Sequence, residues 1–169
     1  MKKLCSLALS LIMMATTLCL PGLAADTYTD ENNSVEIQEF AYTIYDKDGN
    51  ERESGIIPNP NSRYSWTGIT LSNGETAILK QTDDKPFTIA LGTRVKFTLE
   101  LDRTCHMFTK FNRSDVYGNF KEIYKTFTSY GNPSSITFTM DCQNGSYFYP
   151  STTNFSSDPV TITEVSLVF

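Results

Sequence analysis

The last quarter of the chain, residues 134–169, constrains the fold most strongly, because its apolar side chains recur at every second position. Within residues 136–142, Ile, Phe, Met and Cys alternate with Thr and Asp, which is the pattern of a strand with one buried face. Asn144 and Gly145 follow, and this pair favours a type I′ turn between antiparallel strands. The segment therefore predicts a β-hairpin.

The register of this hairpin assigns faces to the aromatic residues that follow the turn. It places Cys142 opposite Tyr147 and Met140 opposite Tyr149, and side chains of paired residues share a face. We therefore expect both tyrosines in the interior. Phe148 is expected on the outer face or under a loop.

Two further features shape the end of the chain. Pro150 cannot donate to a strand ladder, so it is expected to end the second strand of the hairpin, and residues 154–159 then turn the chain. A last strand is predicted from Val160. Its apolar residues change parity near Thr163 and Glu164, which predicts a β-bulge or bend there.

The first 25 residues have the features of a cleavable secretory signal peptide. Two lysines precede an apolar run over residues 4–20, and small residues come before Asp26. The alternative is a membrane anchor, although the run is near the lower length limit for spanning a bilayer. We therefore predict a secreted, extracellular protein with a signal peptide over 1–25, a loose tail over 26–34 and one domain over 35–169.

The charge of the chain argues against several kinds of partner. Removing residues 1–25 takes two of the 14 basic residues and none of the 19 acidic ones, which leaves 12 against 19 and a net charge of −7. Nucleic acid is an improbable partner for such a chain, because phosphate binding draws on clustered Lys and Arg. An anionic membrane surface is disfavoured for the same reason.

Two cysteines, Cys105 and Cys142, remain after removal of the leader. An even number of cysteines in an exported chain suggests a disulfide, and strand alternation gives both residues the inward phase. We therefore predict a bridge between them. The alternative is two separate buried thiols.

Turn signals divide the region before the last quarter into short strands. Residues 46–50 predict a hairpin turn; a calcium loop fits them poorly, because Glu51 stands where such a loop needs Gly and Ile57 where it needs Glu. Residues 72–75 contain a second Asn-Gly pair and predict another hairpin, with residues 76–80 as its returning strand.

Residues 115–130 allow two interpretations. Val, Phe, Ile and Tyr recur at intervals of four and three, which is typical of one helix face. The segment is nevertheless rich in β-branched and aromatic residues, and Gly118 interrupts it. We favour a strand over residues 121–129, with a helix as the alternative.

Many short strands without a long helix after the leader predict an all-β fold, an antiparallel β-sandwich or jelly roll. Three segments, residues 63–76, 145–148 and 154–162, resemble parts of small secreted β-sandwich proteins of Gram-positive bacteria. The last of them is also similar to the terminal strands of GOLD-type and carbohydrate-binding sandwiches. The resemblance implies a fold and an extracellular location, and it assigns no catalytic or ligand-binding residue.

Catalytic chemistry has little support in the sequence. The single histidine, His106, is adjacent to Cys105, and neighbouring strand residues face opposite ways. A zinc site lacks plausible ligands, and no nucleophile motif is present. We therefore predict a protein that is not an enzyme, with no metal and no cofactor.

A binding module is the favoured interpretation. Aromatic side chains on a sandwich face can stack on sugar rings while Asn and Asp bind the hydroxyl groups, so the predicted partner is a glycan or cell-wall carbohydrate. The alternative is an extracellular structural or interaction domain that contacts a cell-surface protein. The oligomeric state stays open. The candidate ligand-binding residues are Trp66, Tyr117, Tyr64, Tyr124, Tyr130 and Phe148.

Overall fold

The computed structural model describes residues 34–59, 67–129, 134–143 and 145–169. Their compact unit is Ser34–Phe169. The predicted signal peptide over 1–25 lies outside the described residues, and so does the predicted tail over 26–34 except for its last residue.

Strands make up the regular structure of the described residues, and none of these residues forms a helix long and apolar enough to cross a membrane. The strands are β1 (Glu36–Ile37), β2 (Phe40–Tyr45), β3 (Glu51–Ile57), β4 (Ile69–Leu71), β5 (Thr76–Lys80), β6 (Phe87–Ile89), β7 (Arg94–Leu101), β8 (Met107–Ser114), β9 (Phe120–Ser129), β10 (Ser135–Asp141), β11 (Ser146–Asn154) and β12 (Val160–Val168).

These strands form two antiparallel sheets. The smaller sheet has the order β1-β12-β7-β10, and β4 also pairs with β12. The larger sheet has the order β3-β2-β5-β11-β8-β9, and β6 also pairs with β11. The predicted all-β sandwich is thus confirmed.

The core lies between the two sheets, and the alternation of β7 shows why. Val95, Phe97 and Leu99 are fully buried, whereas the residues between them are polar. Phe97 meets Phe111 of the larger sheet edge to face, with ring centroids 5.6 Å apart. Each such side chain contributes about 1.5–3 kcal/mol by leaving water, which favours the two-layer arrangement.

Three predictions about local structure are confirmed. Residues 46–50 join β2 to β3 as a hairpin, in which the Asp46 carboxylate accepts the N–H groups of Asp48 and Asn50. The segment near residues 121–129 is a strand, β9, and not a helix. The register of β12 against β7 shifts between Ile162 and Glu164, which is the predicted bulge.

The predicted hairpin between β10 and β11 is wrong. Met140 pairs with Val95 of the smaller sheet, whereas Tyr149 pairs with Asn112 of the larger sheet. The connection between the strands therefore crosses from one sheet to the other. Of the predicted turn, Asn144 lies outside the described residues.

The hairpin predicted at residues 72–75 is wrong for the same reason. The chain does turn there, since the Glu75 N–H donates to the Ser72 carbonyl and Gly74 has φ +80°. β4, however, pairs with β12 of the smaller sheet, and β5 pairs with β2 and β11 of the larger one. An Asn-Gly pair reverses the chain locally without deciding which sheet the next strand joins.

The face assignment in β11 is inverted relative to the prediction. Phe148 is fully buried in the core, and Tyr149 is 7% exposed but points to the opposite side, together with half-buried Tyr147. Pro150 does not end the strand. It lies where β11 changes partner, after Phe148 pairs with β6 and before Ser151 pairs with β5, so its missing N–H costs little there.

No disulfide joins Cys105 and Cys142, which are both buried thiols, so the predicted bridge is wrong. The Cys142 N–H donates to the Thr93 carbonyl at 2.8 Å, which fixes Cys142 near the beginning of β7. Cys105 instead follows the end of β7 at Leu101. The strand between these ends spans roughly 25 Å, and a disulfide needs Cα atoms within about 7 Å.

Candidate functional site

The outward faces of the two sheets differ in character. On the smaller sheet, the outward residues of β7 and β10 are polar or charged, and Arg94 pairs with Asp141 at 2.8 Å while both side chains are mostly exposed. The Arg94 guanidinium lowers the pKa of the Asp141 carboxyl through a hydrogen bond and its charge. This is an ordinary solvated surface.

On the larger sheet, the outward positions of β9, β8 and β11 carry four aromatic side chains and one isoleucine among polar ones. Residues that pair across these three strands form four rows. Each row has one residue from β9, one from β8 and one from β11: Phe120, Ser114, Tyr147; Ile123, Asn112, Tyr149; Thr126, Lys110, Ser151; and Thr128, Phe108, Thr153. We call these twelve residues the aromatic face. They point away from the core because the alternate residues Met107, Phe111 and Phe148 are core residues.

The centre of the aromatic face is a buried polar floor. Asn112, Tyr149 and Ser151 are only 5%, 7% and 6% exposed. The Asn112 side-chain amide donates to the Ser151 hydroxyl at 2.9 Å and to the Tyr149 carbonyl at 3.3 Å. These bonds hold the two central strands and fix the orientation of the amide, so its oxygen has a defined direction.

The Tyr149 hydroxyl has no hydrogen-bond partner among the residues that the structure describes. Burial raises the pKa of this phenol, with a smaller contribution from the Tyr45 phenol. A buried hydroxyl without a partner costs about 1–3 kcal/mol, and nearly all such groups in native proteins are satisfied. A hydrogen-bond partner for this hydroxyl is therefore expected outside the described residues.

One end of the aromatic face is formed by the turn between β8 and β9. The Asp115 carboxylate accepts the N–H groups of Tyr117 and Asn119 at 2.9 and 3.0 Å. The hydrogen bond from the Asn119 side chain is the main cause of the lowered pKa of Asp115, and the two backbone bonds add to it. Gly118 has φ +85°, and a Cβ there would lie 3.8 Å from Lys80 Nζ of β5. Because β11 lies between β8 and β5, the turn reaches over β11.

This turn presents apolar side chains to solvent. Tyr117 is 83% exposed, and Phe120 and Ile123 on the following strand are 57% and 47% exposed. Their exposure next to a buried polar floor gives a surface on which a flat, partly apolar molecule could stack.

The other end of the aromatic face is a second aromatic group. Phe155 lies edge-on to Phe108 at 5.9 Å and 6.0 Å from the His106 ring. The Phe155 N–H donates to the His106 carbonyl, and the His106 N–H donates to the Ser156 hydroxyl. These backbone bonds fix the loop after β11, so Phe155 is held in place although half of it is exposed.

A lysine lies between the two ends. Lys110 is half-buried, its Nζ is 5.2 Å from the centre of the Phe108 ring, and it forms no ion pair within the described part of the chain. A cation over an aromatic face is stabilised by the ring electrons. The ammonium group is thus held on this face without an acidic partner.

The predicted ligand-binding residues have different positions. Tyr117 lies at the edge of the aromatic face and is exposed. Phe148 is a core residue, and Tyr124 packs on it at 5.1 Å while its hydroxyl binds the backbone of Asp141 and Gln143, so both are structural. The remaining three lie outside the described residues, namely Tyr64, Trp66 and Tyr130.

Sequence reasoning missed the floor and Phe155. The available signal was the run of Tyr147, Phe148 and Tyr149, in which aromatic residues occupy both parities. Such a run indicates a strand with two covered faces. Within the described residues, no three or more His, Cys, Asp or Glu side chains come together in a group that could hold a metal ion.

Comparisons with known proteins identify no family. No protein-family model matches the chain, and no curated protein matches it. Among solved structures, the chain is similar to the C-terminal CBM6 of LamC, a marine laminarinase from Zobellia galactanivorans, with 6% sequence identity, a TM-score of 0.40, and coverage of 81% of this chain and 100% of that chain. A TM-score this low supports no further conclusion about this chain.

Proposed function

We propose that the protein is a secreted, non-catalytic binding module whose aromatic face binds carbohydrate. The observation that carries the proposal is Tyr149, a buried residue that lies between two groups of aromatic side chains and whose hydroxyl has no hydrogen-bond partner among the described residues. The extracellular location rests on the leader-like sequence of residues 1–25.

The chemistry of the face suits a sugar chain. Sugar rings have apolar C–H faces that stack on aromatic rings, and Tyr117, Phe120 and Phe155 are exposed for such contacts. Sugar hydroxyls need both donors and acceptors, which the Tyr149 phenol and the Asn112 amide supply. Binding sites for small molecules commonly combine apolar walls with a few fixed polar groups.

Binding to an array of neutral and acidic polysaccharides tests this proposal. The wild-type protein is expected to bind at least one polysaccharide, and Tyr117→Ala combined with Phe120→Ala is expected to weaken binding. Val35→Ala is the matched control, because Val35 is also an exposed apolar residue but lies beside β1 of the smaller sheet. No binding to any polysaccharide, or equal loss in the control, would contradict the proposal.

A protein partner is the second candidate, and the exposed edge of the larger sheet favours it. β9 is the last strand in the order of that sheet, it has ten residues, and Phe120 and Ile123 are exposed on it. A partner strand could pair with such an edge. The two register shifts of β9 against β8 and the lysines Lys121 and Lys125 make strand addition less favourable.

A further inference from the structure

Charge is distributed unevenly over this acidic protein. The chain has 19 acidic and 14 basic residues. The strand registers nevertheless place no Asp or Glu at the outward positions of β5, β8, β9 and β11 that pair with one another. The charged side chain in the four rows of the aromatic face is Lys110.

Lys110 lies next to the polar floor. It pairs with Ser151, and the neighbouring pair along the same two strands is Asn112 with Tyr149. Diagonal neighbours of this kind lie about 7–8 Å apart at Cα, within reach of a lysine side chain. The Lys110 row lies between this pair and Phe108, and Lys110 Nζ is placed over the Phe108 ring. Neighbouring units of one sugar chain could therefore contact the ammonium group and the polar floor.

Lys110 differs from Lys80 of β5, because Lys110 has no acidic partner among the described residues. Lys80 Nζ pairs with the Asp84 carboxylate at 3.0 Å, which compensates its charge. Lys110 has no such ion pair within the described residues, and its half-buried position weakens the screening by water. An ammonium group that has no ion pair among the described residues favours an anionic ligand group.

We propose that the ligand is an acidic polysaccharide, whose sugar carboxylate binds Lys110 while the ring stacks on the aromatic side chains. This inference rests on the proposed carbohydrate-binding function and names the substrate class. A carboxylate gives a charge-assisted hydrogen bond to the ammonium, which is stronger than a neutral one. The Tyr149 hydroxyl can donate to a hydroxyl group of a neighbouring sugar unit.

Affinity electrophoresis through gels that contain polygalacturonate, its fully methyl-esterified form or a neutral β-glucan tests the inference. The wild-type protein should be retarded most by polygalacturonate, and raising the salt concentration should weaken this binding. Lys110→Gln should weaken it about tenfold. The control is Lys96→Gln, since Lys96 is an exposed outward lysine of the smaller sheet, and it should change nothing.

The possible outcomes separate the two proposals. Equal binding of the charged and esterified polymers, or loss only in Lys96→Gln, would overturn the acidic ligand and keep the carbohydrate-binding function. Binding to none of the three polymers by folded protein, as judged from near-ultraviolet circular dichroism, would count against the acidic ligand; if the wider array also gave no binding, the proposed function would fail with it.

Discussion

Asn112 and Tyr149 lie directly opposite each other on β8 and β11, and the Asn112 side-chain amide donates to the Tyr149 carbonyl at 3.3 Å. The bond occupies the backbone of Tyr149 and leaves its phenol without a partner among the described residues. The pair thus combines a structural contact with the phenol on which the proposed binding site is centred.

Replacing Tyr149 with Phe removes that hydroxyl and little else. We expect Tyr149→Phe to weaken carbohydrate binding about fivefold to tenfold, the usual size of one lost hydrogen bond, with the thermal midpoint unchanged or slightly higher. Isothermal titration calorimetry and thermal unfolding measure the two effects. The control is Tyr42→Phe, which loses the 2.7 Å bond to Glu53 on another strand pair and should keep its affinity. Normal affinity in Tyr149→Phe would contradict the role of the phenol.

Truncation of Phe148 tests the assignment of faces in β11. Because Phe148 is fully buried in the core, Phe148→Ala should lower the free energy of unfolding by about 3–5 kcal/mol. The control, Phe120→Ala, removes an exposed ring and should cost less than about 1 kcal/mol. Urea denaturation followed by fluorescence measures both. Similar small losses in the two variants would show that Phe148 does not face the core.

The two cysteines should remain as thiols in the folded protein. After denaturation without reductant, Cys105 and Cys142 should both react with iodoacetamide, and dithiothreitol should leave the unfolding midpoint of the native protein unchanged. Peptide mass spectrometry reads the modification directly. A peptide pair linked through these two residues would contradict the strand register between β7 and β10.

Stability should fall in alkaline solution partly because of Tyr42. Burial, followed by the hydrogen bond to Glu53, raises the pKa of Tyr42 to about 12 from its ordinary value of 10.0. The folded protein therefore holds this proton more tightly than the unfolded chain does. The stabilisation is complete below about pH 10 and is lost as the pH rises towards 12. Chemical denaturation at several pH values should show a shallower decline in Tyr42→Phe, and an identical decline would contradict the assignment.

Alternation along the chain predicts much of this fold. β7, β10 and β12 each have one face in the core and one outside, so their period-two patterns give the correct strands and the bulge near Glu164. β11 shows no contrast between a buried and an exposed face, because Phe148 on one side and Tyr149 on the other are both buried. The predicted sides of these two residues are therefore wrong.

Pairing between strands is less accessible from the sequence. Asn73-Gly74 and Asn144-Gly145 are both local reversal signals, yet the strands on either side of each pair join different sheets. Strand alternation predicts that Cys105 and Cys142 both face inward, but it does not predict where along the strands they lie. In the structure they lie near opposite ends of β7. Within the candidate site, the sequence predicts Tyr117, which is exposed in the structure. The sequence does not predict the buried polar floor, because the floor depends on which strands are neighbours in the sheet.

Nuclear magnetic resonance titration of the ¹⁵N-labelled protein with a short acidic oligosaccharide tests the central claim most directly. The backbone amide signals that shift should belong to β8, β9 and β11 around Asn112 and Tyr149 and to the turn that carries Tyr117. The amides of β7 and β10 on the smaller sheet should stay in place. Shifts confined to the smaller sheet, or no shifts with any oligosaccharide, would contradict the assignment of the aromatic face as a carbohydrate-binding surface.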